Sequence, residues 1–447
     1  MAHALQPVNM GYNQMYLSVH IKFVLALIAA CLWALMSLWL ADGWIKDLGS
    51  HIGMPLATIL IAGIAIIPGF MNAFLLFSLM QDRRPQRKPL ASYPPLSIMV
   101  AAFNEAASIE ETLESIAKQH YPGELQVIVI NDGSTDQTAT IVRNCLPRYR
   151  WLTLLDLEKN GGKANALNQA LGLARHDLVL TLDADSYLYR DALHSIVERY
   201  VGDPPHTRAV AGTVLVRNSR ASWIAQAQEW DYFHGIAAIK RTQSLFQGTL
   251  VAQGAFSLYD RATVKALGGW PDCVGEDIVL TWAILKAGYR VGHCEDACLF
   301  TNAPTTLKQF FRQRQRWSRG MVEAFKHHPG VLFKAQLPTF FIYWNLLFPL
   351  LDLAFTVGFI PGLILAMFGH FWIVGPMTLT LIPLGLAMNW FMFLVEVKMF
   401  HRQELKVRKN PFGFMIYAFI YGFLLQPICL VGYLSELFNI RKSWGTK

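Results

Sequence analysis

Two aspartates in the middle of the chain have a spacing that suits a metal ion. Asp183 and Asp185 lie two positions apart after the apolar run 178–182, so an extended backbone directs both carboxylates to the same side. Mg²⁺ and Mn²⁺ prefer oxygen ligands, and a cation held by one or two carboxylates commonly completes its shell with substrate phosphates. The pair therefore predicts a cation site that meets a nucleotide diphosphate, although a lone Asp pair is more often a cap or a solvated turn.

Two polar turns offer further contacts for a nucleotide. Asp132 stands in the tetrad Asn131-Asp132-Gly133-Ser134, at the end of an apolar run, where open α/β sheets bind their ligands. An Asx-turn would explain the same residues. Lys163 follows a glycine pair at a predicted helix start, where a phosphate can meet both helix N–H groups and a cation. A solvated lysine beside a loop is the alternative.

An acidic pair and a helical triad follow later in the chain. Glu276 and Asp277 precede a helical pattern, so they either complement the helix dipole or supply a base for an alcohol nucleophile. Gln313, Arg316 and Trp317 have the spacing i, i+3, i+4, which places them on one helix face. Arg can bind a diphosphate and Trp can bound a sugar ring. A basic amphipathic helix near residues 305–325 is also typical of a membrane surface.

The central region, about residues 83–334, carries the elements that would position these side chains. Short apolar runs alternate with helical patterns, which predicts a parallel sheet with helices on its faces. Strands are expected at 96–102, 125–130 and 178–182. A capping box of Ser108 and Glu111 predicts a helix start after the first strand.

The composition favours a membrane protein. Hydrophobic residues make up 53% of the 447 residues and charged residues 16%, a balance that a soluble surface cannot cover. Stretches of the about 20 apolar residues that a helix needs to cross a bilayer occur near 23–41, 54–80, 338–368, 371–395 and 412–438. The sequence thus predicts an N-terminal membrane region (1–82) with two spans and a C-terminal one (335–447) with about three.

Basic residues beside these stretches predict the orientation. The net charge of +8 is concentrated at 83–88 and 398–409, and placing both clusters in the cytoplasm puts the central domain there as well. The same placement predicts a C-terminus outside the cytoplasm, which Arg441, Lys442 and Lys447 contradict. No nucleic-acid partner is expected, because the excess charge flanks membrane segments. The first stretch lacks an A-x-A-like cleavage site, which predicts a retained anchor.

The cysteines do not predict a metal centre or a disulfide framework. Six cysteines are scattered without a CxxC pair, so reduced thiols are expected. Cys294 and Cys298 lie near His293, but no second ligand pair follows them, which favours ordinary packing over zinc.

In chain order, the motifs resemble those of membrane-embedded processive family-2 glycosyltransferases. The series Asn131-Asp132-Gly133, Asp183-Ala184-Asp185, Glu276-Asp277 and Gln313-Arg314-Gln315-Arg316-Trp317 is similar to the D, DxD, (T/G)ED and QxxRW series of cellulose, chitin, hyaluronan and poly-N-acetylglucosamine synthases. Segment 238–243 and the layout of helices most resemble the poly-β-1,6-N-acetyl-D-glucosamine synthases.

The sequence departs from the family pattern at two places. Gly275 stands where the family usually has Thr. Ala252-Gln253-Gly254 replaces the aromatic-Cys-Gly motif of cellulose synthases, which argues against cellulose as the product.

The resemblance implies an α/β fold of the GT-A type (Rossmann-like), cytoplasmic and inserted between transmembrane α-helices of the inner membrane. It implies that Asp132 binds the uracil or ribose side of UDP, with Asn104 and Glu105 nearby and Lys163 also on the nucleotide.

For the reacting groups, the resemblance implies that Asp183 and Asp185 handle the diphosphate and its Mg²⁺ or Mn²⁺. Asp277, supported by Glu276, would deprotonate the acceptor hydroxyl. The leaving diphosphate and the acceptor end would be held by Gln313, Arg316 and Trp317.

The implied reaction is inverting, processive transfer of N-acetylglucosamine from UDP-GlcNAc to a growing β-linked glycan, coupled to export across the membrane. The alternatives are transfer of one sugar to a polyprenyl or other lipid acceptor, synthesis of hyaluronan, chitin or a glucan, and a non-catalytic sensor of UDP-sugar. Expected partners are the UDP-sugar, the glycan, the lipid bilayer and a small membrane subunit. No fused regulatory domain is expected after Phe438.

Overall fold

The computed structural model describes residues 17–83, 88–402, 404–406 and 408–440. The described chain opens with apolar helices. Its helices are α1 (Val19–Ile52), α2 (Met54–Ile61) and α3 (Ile67–Met80), and a π-helical turn, Ala62–Ile66, makes α2 and α3 continuous. Leu32, Leu35 and Trp39 on α1 are 61 to 75% exposed, which is typical of a surface that faces lipid or a partner.

An α/β domain follows. Its strands are β1 (Leu96–Ala102), β2 (Leu125–Asp132), β3 (Leu152–Leu157), β4 (Leu178–Asp183), β5 (Ser186–Leu188), β6 (Thr207–Val216), β7 (Phe256–Asp260) and β8 (Arg290–Thr301). Its helices are α4 (Ile109–Ala117), α5 (Thr138–Cys145), α6 (Lys163–Leu173), α7 (Ala192–Gly202), α8 (Trp223–Trp230), a π-helical turn Asp231–Ile236, α9 (Ala237–Leu245), α10 (Arg261–Ala266), α11 (Glu276–Lys286) and α12 (Leu307–His327).

The sheet is mixed and has the order β3-β2-β1-β4-β7-β6-β8-β5. The first four strands are parallel, whereas β7 is antiparallel to both its neighbours and β5 is antiparallel to β8. The prediction of a parallel sheet is therefore confirmed for β1 to β4 and for β6 with β8, which also pair in parallel, and wrong for β5 and β7. Strands buried on both faces read as continuous apolar runs in either direction, so the residue pattern did not reveal the change.

The register of β1 places the polar turns together. Ala102 on β1 is paired with Asn131 on β2, and Ala101 is paired with Asp183 on β4. Because the carboxyl ends of neighbouring parallel strands meet at one edge, the two aspartate motifs flank the end of β1. The predicted second strand, 125–130, runs on to Asp132, which is the last residue of β2.

The predicted capping box on α4 is wrong. The helix begins at Ile109 as expected, but the Ser108 side chain makes no cap and its hydroxyl donates to Glu105 Oε2 over 2.9 Å instead. A capping box does occur at the start of α12, where Thr306 and Gln309 bond reciprocally.

The C-terminal apolar segment is more broken than predicted. It contains α13 (Leu337–Leu353), a π-helical turn Ala354–Phe359, α14 (Ile360–Met367), α15 (Pro376–Arg402), α16 (Pro411–Phe419) and α17 (Tyr421–Leu437). The last two helices are bent by 51° at their junction, so the predicted span 412–438 consists of two helices with a bend between them. Within α15 the apolar part, Ile382–Val395, is short for a span.

By length and composition, three helices among the described residues could cross a membrane: Val19–Ile52, Met54–Met80 and Leu337–Met367. The bent pair would make a fourth if it forms one span. Some of the basic residues used to predict the orientation lie outside the described residues: Arg84, Arg87, Arg441, Lys442 and Lys447.

Candidate active site

The end of β2 is tied to the glycine loop before α6. The Asp132 carboxylate accepts hydrogen bonds from the backbone N–H groups of Gly161 and Gly162 over 2.8 and 2.9 Å. Gly133 has φ +65°, and a Cβ there would lie 2.5 Å from the backbone nitrogen of Asn160, so only glycine fits this close approach. Asp132 therefore positions the loop that leads to Lys163, in addition to lining the cavity described below.

The turn after β1 is hydrogen-bonded to the residues that follow β2. Asn104 adopts φ +56°, and its Oδ1 accepts from the Thr135 N–H over 2.9 Å. Its own N–H donates to Ser134 Oγ. The Glu105 N–H donates to Thr138 Oγ1 over 2.8 Å. Asn104 and Glu105 thus hold the turns after β1 and β2 together.

Lys163 connects two of the acidic motifs. Its ammonium contacts Asp183 Oδ1 and lies 3.9 Å from Glu276 Oε1. Burial alone would lower the pKa of Lys163, but the charges of Asp183 and then Glu276 outweigh it and raise that pKa. Lys163 therefore stays cationic between Asp183, at the end of β4, and Glu276, at the start of α11.

The acidic pair at the start of α11 contains two differently placed carboxylates. Asp277 accepts from the Gly254 N–H over 3.2 Å and from the Ile278 N–H over 2.7 Å. Burial, together with the charge of Asp277, raises the pKa of Glu276 to about 7, although Lys163 and Arg316 oppose this. Two carboxyl groups with different environments can take different protonation roles.

One face of α12 points into the same space. Gln313, Arg316 and Trp317 all line the cavity, whereas Arg314 and Arg319 are buried and do not line it. Gln313 Oε1 is buried and accepts no hydrogen bond from the residues that the structure describes. The predicted one-sided arrangement is present, and the helix is more than a basic surface lying on lipid.

A single cavity of about 1260 Å³ contains every site residue that the sequence predicted. This volume exceeds the roughly 300–1,000 Å³ of pockets that hold one small ligand. The predicted residues on its wall are Asn104, Glu105, Asp132, Lys163, Asp183, Asp185, Glu276, Asp277, Gln313, Arg316 and Trp317.

The carboxylates fit a divalent cation only with help from a ligand. Asp183 and Asp185 both line the cavity, and Asp185 Oδ1 lies 3.5 Å from Thr301 Oγ1. Among the described residues, no group of three or more His, Cys, Asp or Glu side chains could hold a metal. Two carboxylates are sufficient for Mg²⁺ or Mn²⁺ when phosphate oxygens and water complete the shell. His293, Cys294 and Cys298 are buried inside the domain.

Sequence reasoning missed three residues of the site. Lys240 and Tyr232 line the cavity from α9 and the π-helical turn before it, and burial lowers the pKa of Lys240 to about 7 against the charge of Asp277. A Cβ on Gly254 would lie 2.8 Å from Lys163 Nζ. Lys240 lies in segment 238–243, which had been noted only for its resemblance to the poly-β-1,6-N-acetyl-D-glucosamine synthases, and Gly254 only as a departure from cellulose synthases, whereas no residue pattern distinguished Tyr232.

Comparison with known proteins places the chain in a family. Residues 94–320 match the model described as glycosyltransferase like family 2, which covers half of the 447 residues. The chain belongs to glycosyltransferase family 2. It is therefore a glycosyltransferase, and its mixed sheet is of the GT-A type.

Curated relatives refine this membership. Over 226 residues the glycosyltransferase is 34% identical to the poly-beta-1,6-N-acetyl-D-glucosamine synthases of Staphylococcus aureus and Staphylococcus epidermidis, a match that covers 50% of this chain and 54% of each relative. The chain thus spans about half the length of the curated relatives it matches.

A solved structure shares the fold over nearly the whole chain. The mannosyltransferase PcManGT from Pyrobaculum calidifontis, in complex with GDP-Man and Mn²⁺, superposes with a TM-score of 0.54, at 20% identity, over 95% of this chain and 100% of that one. At this identity the likeness shows the fold alone.

Proposed function

We propose that this glycosyltransferase transfers N-acetylglucosamine from UDP-GlcNAc, with inversion, to the end of a growing β-linked glycan of the poly-β-1,6-N-acetylglucosamine type. The single observation that best supports the proposal is that all four motifs line one cavity. A cavity larger than one small ligand requires has room for a nucleotide sugar and the end of an acceptor together. The names of the curated relatives support the choice of sugar.

In the proposed reaction, Asp277 accepts the proton of the acceptor hydroxyl. The backbone N–H groups of Gly254 and Ile278 hold its carboxylate in place, which is the orientation that a general base requires. The acceptor oxygen forms a bond to the anomeric carbon while the bond to the UDP oxygen breaks, and the electron pair leaves with UDP. No covalent intermediate with the enzyme is needed.

Cationic groups would stabilise the departing diphosphate. Lys163 and Arg316 line the cavity on different elements, and fixed positive charges in a cavity stabilise charge as it develops in the transition state. Asp183 and Asp185 would hold a divalent cation, which when bound neutralises part of the diphosphate charge. Gln313 has a buried acceptor atom without a partner, so it is available to a sugar hydroxyl.

The proposal includes the setting of the site in the membrane. Residues 83–334 would form a cytoplasmic domain between membrane regions 1–82 and 335–447, in the inner membrane, and a small membrane subunit would be a partner. The three long apolar helices and the bent pair after the domain support this setting. A hydrophilic glycan that leaves through the bilayer needs a path lined by protein.

The test uses the full chain, purified in lipid nanodiscs and supplied with UDP-GlcNAc. Asp277→Asn is expected to lower the rate of UDP release by about 10²–10⁴-fold, the usual contribution of a general base, while UDP binding stays intact. Asp272→Asn is the matched control, because Asp272 is exposed and lies outside the cavity wall.

Product length separates this proposal from its rivals. A β-linked polymer in the wild type, lost in Asp277→Asn, is the expected result. Transfer of one sugar to lipid, or full activity of Asp277→Asn, contradicts the proposal, and polymer made only from another UDP-sugar contradicts the assigned donor.

A further inference from the structure

The buried Arg314 contacts Trp317. Trp317 belongs to the acceptor wall, the face of the cavity formed by Gln313, Arg316 and Trp317. The guanidinium carbon of Arg314 lies 4.2 Å from the ring centroid of Trp317, three positions later on α12. Arg314 is 4% exposed and does not line the cavity, whereas Trp317 is 38% exposed and does. One face of the indole therefore contacts a cation inside the protein while the ring borders the space for the acceptor.

Aromatic rings enclose the guanidinium on several sides. Phe310 on α12 is 5.2 Å from its carbon, Tyr232 on the π-helical turn is 5.8 Å away, and Tyr421 at the start of α17 is 6.0 Å away. Buried guanidinium groups are attracted to the faces of aromatic rings. The cluster joins three elements that are far apart in the sequence.

One carboxylate balances the buried charge. Asp231 Oδ2 lies 2.8 Å from Arg314 Nη2, and the same oxygen accepts a hydrogen bond from the Tyr421 hydroxyl over 3.1 Å. Arg314 Nε and Nη2 make no directed hydrogen bond to any described residue, so the ion pair with Asp231 and the ring contacts hold the group. Tyr421 is the first residue after the 51° bend between α16 and α17.

We propose that Arg314 is a positioning residue that fixes Trp317 for the acceptor sugar, and that Asp231 and Tyr421 link this position to the bend before α17. The proposal rests on the proposed function, because it assumes that Trp317 contacts the acceptor. Among the described residues, the ion pair and the ring contacts of Arg314 join it to neither Lys163 nor a carboxylate of the cavity wall, which favours an effect on transfer through Trp317. Removal of Arg314 should therefore alter acceptor use and leave the donor end unchanged.

The test measures acceptor and donor steps separately. Full-length protein in nanodiscs receives UDP-GlcNAc with a β-1,6-linked N-acetylglucosamine tetrasaccharide, and the rate of elongation is compared with the hydrolysis of UDP-GlcNAc without acceptor. Arg314→Lys keeps the charge but loses the planar stack. It is expected to raise the KM for the tetrasaccharide about 10-fold, in line with the loss of one buried cation–π contact, with donor hydrolysis unchanged.

A double-mutant cycle decides whether Arg314 acts through Trp317. In a Trp317→Ala background, Arg314→Lys should have no further effect on the KM, because the coupled partner is absent. Tyr421→Phe removes only the hydroxyl that donates to Asp231, and we expect a smaller rise in KM in the same direction. Arg312→Lys is the control, because Arg312 is an exposed residue of the same helix outside the cavity wall.

Two results would overturn the positioning role. Additive effects of Arg314→Lys and Trp317→Ala would show that Arg314 acts independently. An equal loss of donor hydrolysis would show a general structural role. A wild type that does not elongate the tetrasaccharide instead overturns the proposed function, and this result differs from both because it needs no variant.

Discussion

The two ends of the cavity, which the proposed function assigns to the donor and to the acceptor, are built in different ways. At the donor end, Asp132, Lys163 and Asp183 follow strands or begin a helix of one domain, and their partners belong to the same domain. At the acceptor end, Trp317 is backed by Arg314, whose partners include Tyr421 of the C-terminal apolar helices. The donor end is thus assembled within the α/β domain, whereas the acceptor end depends on the C-terminal apolar helices.

A second buried pair on α12 reinforces this dependence. Arg319 Nη2 lies 3.2 Å from Glu436 Oε2 on α17, and Lys326 Nζ lies 3.0 Å from Glu436 Oε1. Arg319 and Glu436 are both buried. Ion pairs removed from water are costly to break, so α12 and α17 should move as one unit. Any motion of α17 would therefore reach the α12 residues that line the cavity.

The largest expected effect tests the donor end. Lys163→Met removes the cation that faces Asp183 and Glu276, leaving two carboxylates without their compensating charge. We expect UDP release to fall by about 100-fold, the scale of losing one preorganised electrostatic group, and UDP-GlcNAc to bind more weakly. Titration of UDP-GlcNAc and steady-state UDP release measure both effects.

The control for this change is Lys159→Met. Lys159 is an exposed lysine four residues earlier and does not line the cavity, so both measurements should match the wild type. If Lys163→Met lost acceptor affinity and kept donor affinity, the division of the cavity into two ends would be wrong.

The placement of the donor end could be predicted from the sequence for a simple reason. Polar turns after apolar strands meet at one sheet edge when the strands are parallel and adjacent, and the register of β1 with β2 and β4 has this form. Asp132 and Asp183 were placed by that rule alone. The spacing of Gln313, Arg316 and Trp317 on α12 was predictable because helical periodicity is local.

The supports of the acceptor end were not predictable in the same way. Nothing in the local pattern links Arg314 to Asp231 or Tyr421, which are 83 and 107 positions away. Such contacts depend on how the apolar helices pack against the domain. The bend between α16 and α17 was likewise invisible, because a continuous apolar stretch gives no sign of an internal break at Ile420.

The second prediction concerns the junction between the two ends. Gly275 occupies a position where the family usually has Thr, and the structure explains the change: a Cβ on Gly275 would lie 2.4 Å from the Cα of Gly320 on α12. The Gly275 N–H also donates to Glu323 Oε2 over 2.7 Å. Gly275→Thr should therefore push α11 from α12 and cost about 1–3 kcal/mol of stability, the usual scale of overpacking.

Thermal unfolding in detergent measures this cost, and elongation of the tetrasaccharide reports the displaced acceptor wall. Gly202→Thr is the matched control, because a Cβ on Gly202 would meet no atom within 4 Å. A stable and fully active Gly275→Thr variant would mean that close packing of α11 on α12 is not what joins the two ends.

The smallest expected effect lies where the ends meet, at Glu276. Burial and the charge of Asp277 raise the pKa of Glu276 to about 7. Because the protonated carboxyl is favoured more in the folded than in the unfolded protein, Glu276 contributes stability at low pH. This contribution is lost as the pH rises from the ordinary pKa of a glutamate through about 7. Between about pH 5 and pH 7, the wild type should lose about 2 kcal/mol of unfolding free energy relative to Glu276→Gln.

Thermal midpoints at both pH values measure the difference, with the exposed Glu158→Gln as control. An equal pH response in Glu276→Gln and the wild type would mean that Lys163 and Arg316 keep Glu276 ionised, and the donor end would then extend across the start of α11.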